Sequence, residues 1–341
     1  MTRTSPDPEW HWPRFDQILC GEITDRERLG LPDRYVASRM DDALTQATAQ
    51  LRNVSSDALL AILAGSTSAS TLAARIASGN LLALIGDPRI RVEHPEMIDI
   101  PGAEVEIGLH PNEVTTVLEQ FKGLGLDRAW IAKECPQHTV TLRPYRMARY
   151  PVTNAEYRDF LLHTRHSELP SSWHFRRFPL ERANHPVYTI SPGSADAYAH
   201  WLAQRTGRAF RLPTEAEWEH AAAGPERREF PWGACFDADL ANTAETGLFS
   251  SSPVGAFIGG ESPFGMADMA GNVEEYVADA YAAYQGGAFI ADHLVQINGS
   301  YRIARGGSFA RFRDLARTRR RHGHNPKSAT YAIGFRLAES L

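Results

Sequence analysis

Arg302-Ile303-Ala304-Arg305-Gly306-Gly307-Ser308-Phe309, taken with Ile333-Gly334-Phe335-Arg336-Leu337-Ala338, is the stretch on which the fold turns. The alternation of Arg302, Ile303, Ala304 and Arg305 suits a half-buried strand. Gly306-Gly307 interrupt it, as a bulge or a close backbone approach would. Ala332 to Leu337 predicts a second short strand returning beside the first. Between the two stand Arg311, Arg313, Arg317, Arg319, Arg320 and Arg321, then His322-Gly323-His324-Asn325-Pro326. So much positive charge between two strands marks a candidate site.

Working outward, Met97-Ile98-Asp99-Ile100-Pro101-Gly102, Pro136-Gln137-His138-Thr139-Val140 and Pro151-Val152-Thr153-Asn154-Ala155-Glu156-Tyr157 stand upstream. Arg211-Leu212-Pro213-Thr214-Glu215-Ala216-Glu217-Trp218-Glu219, Pro231-Trp232-Gly233 and Asp268-Met269-Ala270-Gly271-Asn272-Val273-Glu274-Glu275 follow. Blocks of this kind in this order resemble the formylglycine-generating enzyme (sulfatase-modifying factor) family. The resemblance implies an α+β, C-type-lectin-like fold with short twisted sheets and much irregular loop. It says less about chemistry, because function resides in sites grafted onto folds.

The chain has 341 residues, 43% of them hydrophobic and 23% charged, in the range of an ordinary globular protein. A net charge of −5 excludes nucleic-acid binding by bulk electrostatics, so the arginine run must be judged separately. Of the 36 basic residues only Lys122, Lys133 and Lys327 are lysine, which reads as the mark of a GC-rich genome. Cys20, Cys135 and Cys235 form no C-x-x-C pair and no disulfide framework. No signal-peptide pattern opens the chain, and no apolar run is long enough to span a bilayer. The expectation is a cytoplasmic protein with no membrane partner.

Three regions are expected. Residues 1–30, with Pro6, Pro8 and Pro13 among Trp10, His11 and Trp12, read as an extended arm. Residues 31–92 read as a small helical domain, offered as a docking surface for a protein partner. Its first helix starts near Asp33 and carries Tyr35, Met40, Leu44, Ala47 and Leu51 at helical spacing. A second is capped around Ser55-Ser56-Asp57, and a third spans Leu72 to Leu84. Residues 93–341 form the family-like domain, with helices predicted over 112–124, 154–163, 191–205 and 214–223. Thr214 and Glu217 make a capping box.

Asp268, Gly271, Val273 and Glu275 place two acids and two carbonyls in an irregular loop, the oxygen-rich setting that calcium requires. The resemblance implies a structural calcium on these residues, with the Gly271 and Val273 carbonyls as ligands. A second calcium would use Asn242 and the Thr243 carbonyl. Family members that make formylglycine hold copper with two cysteines. Those positions fall on Arg311 and Ala316 here, and neither supplies the soft thiolate that copper(I) wants. Formylglycine generation is therefore not expected. Glu274 stands where the family usually has tryptophan.

His322 and His324 are the remaining candidates for a transition metal of unspecified identity, with His94 or His110 as a third ligand. The H-x-x-x-H-x-E iron pattern of the related sulfoxide synthases is absent. The grouped arginines suit a carboxylate or phosphate ligand, or else structural pairing with the Glu215–Glu219 helix. Glu215, Glu217 and Glu219 themselves read as structural.

Two functions follow. The first is an enzyme that oxidatively tailors an anionic amino-acid-derived small molecule or peptide without copper. Its catalytic residues would be His324, Glu274 and Ser308, and its substrate-binding residues Arg311, Arg313 and His322. The second is a non-catalytic, lectin-like ligand- or protein-binding module. Nucleic acid is not expected, because no aromatic platform interleaves the arginines.

Overall fold

In the computed structural model the described residues are 29, 31, 39–326 and 331–341. The expected arm over 1–30 lies outside them except for Leu29, as do Asp33, Tyr35, Cys20 and Lys327. Helix α1 (Arg39–Leu51), α2 (Ser56–Leu63) and α3 (Leu72–Ile85) come first. The Ser55 hydroxyl accepts the Ala58 N–H at the head of α2, and Thr71 accepts from Ala74 at the head of α3. Each satisfies an amide that the first helical turn leaves without a partner.

The apolar face of these helices is covered by the chain's own later loop. Leu59, Leu63, Ile76 and Leu82 share one cluster with Ala256 and Phe257. Gly79 allows the approach, since a Cβ there would stand 2.4 Å from Pro253 Cβ. Arg75 Nε donates to the Ala256 carbonyl at 2.7 Å, and the Asn184 amide to that of Gly79 at 2.9 Å.

Strand β1 (Met97–Ile100), β2 (Ala103–Ile107), α4 (Val114–Gln120), α5 (Arg128–Ala132), β3 (His138–Leu142) and β4 (Tyr145–Ala148) follow. The helix predicted over 112–124 is shorter. Pro111–Glu113 form a 3-10 turn ahead of α4, and positive φ at Gly123 (92°) and Gly125 (68°) forbids continuation beyond it. Then come α6 (Asn154–Thr164), α7 (Pro192–Thr206), β5 (Phe210–Arg211) and α8 (Glu215–Ala223). Both α6 and α8 open on capping boxes, Thr153 with Glu156 and Thr214 with Glu217. A long irregular passage leads to β6 (Glu274–Ala280), α9 (His293–Asn298), β7 (Arg302–Arg305), β8 (His322–Gly323), β9 (Ile333–Phe335) and β10 (Ala338–Ser340).

One sheet has the order β1-β4-β10-β5, β2 and β3 pair alone, and the third sheet has the order β8-β7-β6-β9. The strand around Ile333 therefore does not return beside Arg302–Arg305 as the sequence predicts. It pairs parallel with β6, through Glu274↔Ile333 and Tyr276↔Phe335, and β6 separates it from β7. The physical reason lies in β6 itself. Glu274, Glu275, Tyr276 and Val277 are all buried, so the intervening strand shows no two-residue alternation to reveal it.

Tyr157, Phe160, Tyr198, Leu202 and Phe335 pack one core between α6, α7 and the third sheet. Trp218, Met147, Met269, Val277 and Ile303 pack a second around α8. No helix among the described residues is long and apolar enough to cross a membrane.

Candidate functional site

The third sheet brings two distant side chains together. Ala304 of β7 faces His322 of β8, and Tyr276 of β6 faces Ala304 from the other side. Glu274 opens β6 with its N–H on the Ala332 carbonyl at 2.8 Å. Its carboxylate Oε2 lies 2.5 Å from His322 Nδ1, which donates to it. The Glu274 side chain is 1% exposed and that of His322 13%. His322 Nε2 makes no hydrogen bond to a described residue.

Burial alone would raise the Glu274 carboxyl. His322, then Arg311 and Arg320, more than offset it, and the group sits below its ordinary value. Burial lowers His322 as well; Glu274 opposes that shift, while Arg311 and Arg320 reinforce it. The pair is thus a carboxylate gripping a neutral imidazole. That arrangement fixes the tautomer and leaves Nε2 as the basic nitrogen of the ring.

Arg311 completes the cluster, its Nε 3.7 Å from Glu274 Oε1. Ser308 lies wholly buried, and its hydroxyl has no hydrogen-bond partner among the described residues. The turn that carries it requires glycine. Gly307 has φ of 68°, and a Cβ there would meet the Leu315 carbonyl carbon at 2.8 Å.

His324 makes no hydrogen bond to the carboxylate, though it lies close enough to feel both Glu274 and His322. Its ring lies 3.8 Å from that of Tyr331, and its carbonyl accepts the Asn298 amide at 3.0 Å. His322, not His324, is the histidine against Glu274. His110 is occupied as the cap of a 3-10 turn, accepting the Asn112 N–H on Nδ1. Among the described residues no group of three His, Cys, Asp or Glu is placed to hold a metal ion.

The arginine run is neutralised from within. Arg317 is wholly buried between Glu134, at 2.9 Å, and Glu229. Arg319 reaches Glu229 at 3.0 Å, Arg320 faces Asp314 at 3.7 Å, and Arg321 grips both oxygens of Glu215 at 2.9 Å. Arg305 pairs with Glu219 on the same face of α8. Arg313 is held by Glu245 through both its N–H, at 3.0 Å, and its guanidinium, at 3.2 Å. Of the two arginines expected to bind substrate, only Arg311 stands at the Glu274–His322 pair.

The two expected calcium sets differ in fit. Both oxygens of Glu275 are held at 2.6 Å by the wholly buried guanidinium of Arg336, and Trp218 Nε1 adds a third bond at 2.7 Å. Asp268 accepts the Gly255 N–H at 2.7 Å and the Asn272 amide at 3.4 Å. With both carboxylates committed, Asp268, Gly271, Val273 and Glu275 do not fit an ion that wants six to eight oxygens. Arg336 supplies the positive charge there. At the second set, Asn242 Oδ1 is a buried oxygen without a hydrogen-bond partner, and the Glu245 carboxylate lies beside the Thr243 hydroxyl. An orphan acceptor of that kind suits a hard cation.

Cys135 and Cys235 are free thiols. Burial, then the neighbouring Glu134, pushes Cys135 up to about 11, so it stays protonated.

Residues 86–341 match the family described as "Sulfatase-modifying factor enzyme 1-like domain". The "Serine/threonine-protein kinase Pkn1" of Chlamydia trachomatis is 33% identical over 226 residues, covering 61% of this chain and 35% of that protein. A "Hercynine oxygenase" of Mycobacterium tuberculosis is 30% identical over 255 residues, covering 63% and 58%. The chain thus spans between 35% and 58% of the length of these curated relatives. The mouse "Inactive C-alpha-formylglycine-generating enzyme 2" is 28% identical over 318 residues, covering 76% of this chain and 92% of that protein. Among solved structures, PvdO from Pseudomonas aeruginosa superposes with a TM-score of 0.56 at 27% identity, over 73% of this chain and 95% of PvdO. Treponema denticola variable protein 1 gives 0.52 at 21% identity, over 71% and 94%, a likeness of fold alone.

Proposed function

This chain belongs to the sulfatase-modifying factor family, with its α+β, C-type-lectin-like fold, and from that premise we propose that it is a copper-free oxidative enzyme. Its substrate would be an anionic amino-acid-derived molecule or peptide. The observation that carries this reading is the 2.5 Å contact between Glu274 and His322, which leaves Nε2 as the ring nitrogen not engaged by a described residue. His322 would take a proton from the bound substrate, and Glu274 would hold the imidazole and stabilise the imidazolium that forms. Two electrons and a second proton would pass to an external acceptor such as dioxygen, which takes up the proton from His322 as well and leaves as hydrogen peroxide. Arg311 would stabilise negative charge developing beside the pair.

The test is oxygen uptake, with mass analysis of products, over a panel of acidic amino-acid derivatives and peptides. Glu274→Gln is expected to lower kcat/KM by roughly 10²–10⁴-fold. The rate should fall on acidification, because protonation removes the base, and the midpoint should lie below that of an ordinary histidine. In Glu274→Gln that acid limb should move lower still, since the carboxylate no longer favours the charged ring. The competing reading, a binding module that docks a partner through residues 31–92, requires no turnover and identical behaviour of the two proteins. Equal rates in both would end the catalytic reading.

A structural calcium is part of the same proposal, held by Asn242, the Thr243 carbonyl and Glu245. Saturating calcium at a hundred times its Kd should stabilise the fold by about 2.7 kcal/mol. Asn242→Ala should abolish that gain in thermal unfolding. A gain that survives the substitution would place the ion elsewhere.

A further inference from the structure

Because the C-terminal arginines are satisfied internally, an anionic substrate needs cations from another part of the surface. They stand in a cleft between the head of α6 and the loop that precedes α7. Trp173, Arg177, Phe178, Arg182 and Tyr188 line it, with Glu181 as the one acid of the lining. Neither Arg177 nor Arg182 makes an ion pair with a described carboxylate, in contrast to the arginines of the C-terminal run. Arg182 lies beside the Tyr188 hydroxyl. The cleft holds about 180 Å³, less than the roughly 300 Å³ at which pockets for whole ligands begin. It has room for one side chain or a terminal carboxylate.

Two further observations set the cleft apart. Phe175 and Arg176, at its rim, both adopt left-handed backbone (φ 55° and 58°), although neither is glycine. Phe175 is 97% exposed. Non-glycine residues persist in that region only where the surroundings impose it, and such positions gather at ligand-binding loops. The cleft also adjoins the site described above. Tyr188 stands edge-on to Phe309 at 5.5 Å, Phe309 packs on Ala332, and the Ala332 carbonyl accepts the Glu274 N–H.

We propose that this cleft is a recognition subsite for an acidic side chain of a peptide. A carboxylate would sit between Arg177 and Arg182, while a residue further along the extended chain reaches His322. A peptide fits better than a small metabolite because the ligand must span both places. The cleft alone is too small for more than one group. The role as a substrate subsite rests on the catalytic reading of the Glu274–His322 pair; the binding itself does not.

The test is fluorescence anisotropy of the full chain with a fluorescein-labelled decapeptide of alternating Glu and Ser. Its Gln-for-Glu counterpart and a dT15 oligonucleotide serve as controls. The acidic peptide should bind, and Arg177→Gln with Arg182→Gln should weaken it at least about tenfold. Added salt should weaken it as well, and the Gln peptide should bind poorly. Anisotropy reads binding and oxygen uptake reads turnover, so a failed catalytic reading and a failed subsite give different results. Absent binding, equal binding by the double variant, equal binding of the neutral peptide, or preference for dT15 would each overturn the proposal.

Discussion

Arg317→Met is expected to destabilise the fold by about 3–5 kcal/mol, because it removes one member of a buried ion-pair group and strands the other charges. Arg317 is wholly buried, and Glu134 beside it is buried to the same degree. Burial already holds the Glu134 carboxyl above its ordinary value, with Arg317 and then Arg320 working against that rise. Without Arg317 it must rise further. A carboxyl whose folded pKa exceeds its unfolded one binds more protons when folded, so acidification favours the folded state through that window. The melting-temperature gap between wild type and variant, roughly 10 °C near neutral pH, should therefore narrow as the pH is lowered. A gap that stays constant with pH would show that Glu134 is not the stranded acid.

Glu275→Ala should be of similar size, about 3–5 kcal/mol. It deprives the wholly buried Arg336 of both carboxylate bonds and leaves Trp218 Nε1 without its acceptor. Three carbonyls, of Ala148, Arg149 and Ala267, would still face that guanidinium. They bring no negative charge to balance it. Thermal unfolding of the variant with calcium and with a chelator separates two roles for Glu275. The loss should be the same in both solutions, since the carboxylate is committed to Arg336. A loss that appears only with calcium present would make Glu275 a ligand after all.

Much of the frame was legible in the residues because it is written locally. Thr214 with Glu217 announces α8, Ser191 and Pro192 announce α7, and Arg302 to Arg305 announce β7. The site was legible only as a list. Glu274, His322, His324, Ser308, Arg311 and Arg313 all stand out in the sequence, yet nothing local joins Glu274 to His322 across 48 positions. Their contact depends on β6, whose first four residues, Glu274 to Val277, are all buried and carry no alternation. The arginine run was open to two readings for the same reason. Its partners Glu134, Glu229 and Glu215 lie up to 183 residues away, and only the tertiary fold shows that they neutralise it. Arg177 and Arg182 gave no signal because their loop has no periodicity, and a free guanidinium is recognised only once its possible partners are known to be elsewhere.

Strand β10 is an inner strand of its sheet, with Ala338 opposite Met147 on one side and Arg211 on the other. Translation therefore lays down the neighbours long before the piece that joins them. Until residues 338–340 leave the ribosome, β4 keeps one edge open, with Tyr145 and Met147 uncovered. The nascent polypeptide must carry an unzipped seam until those residues are made, although domains tend to form in order of synthesis. A stop codon introduced at Ala338 would then yield a chain that clumps through the uncovered edge of β4.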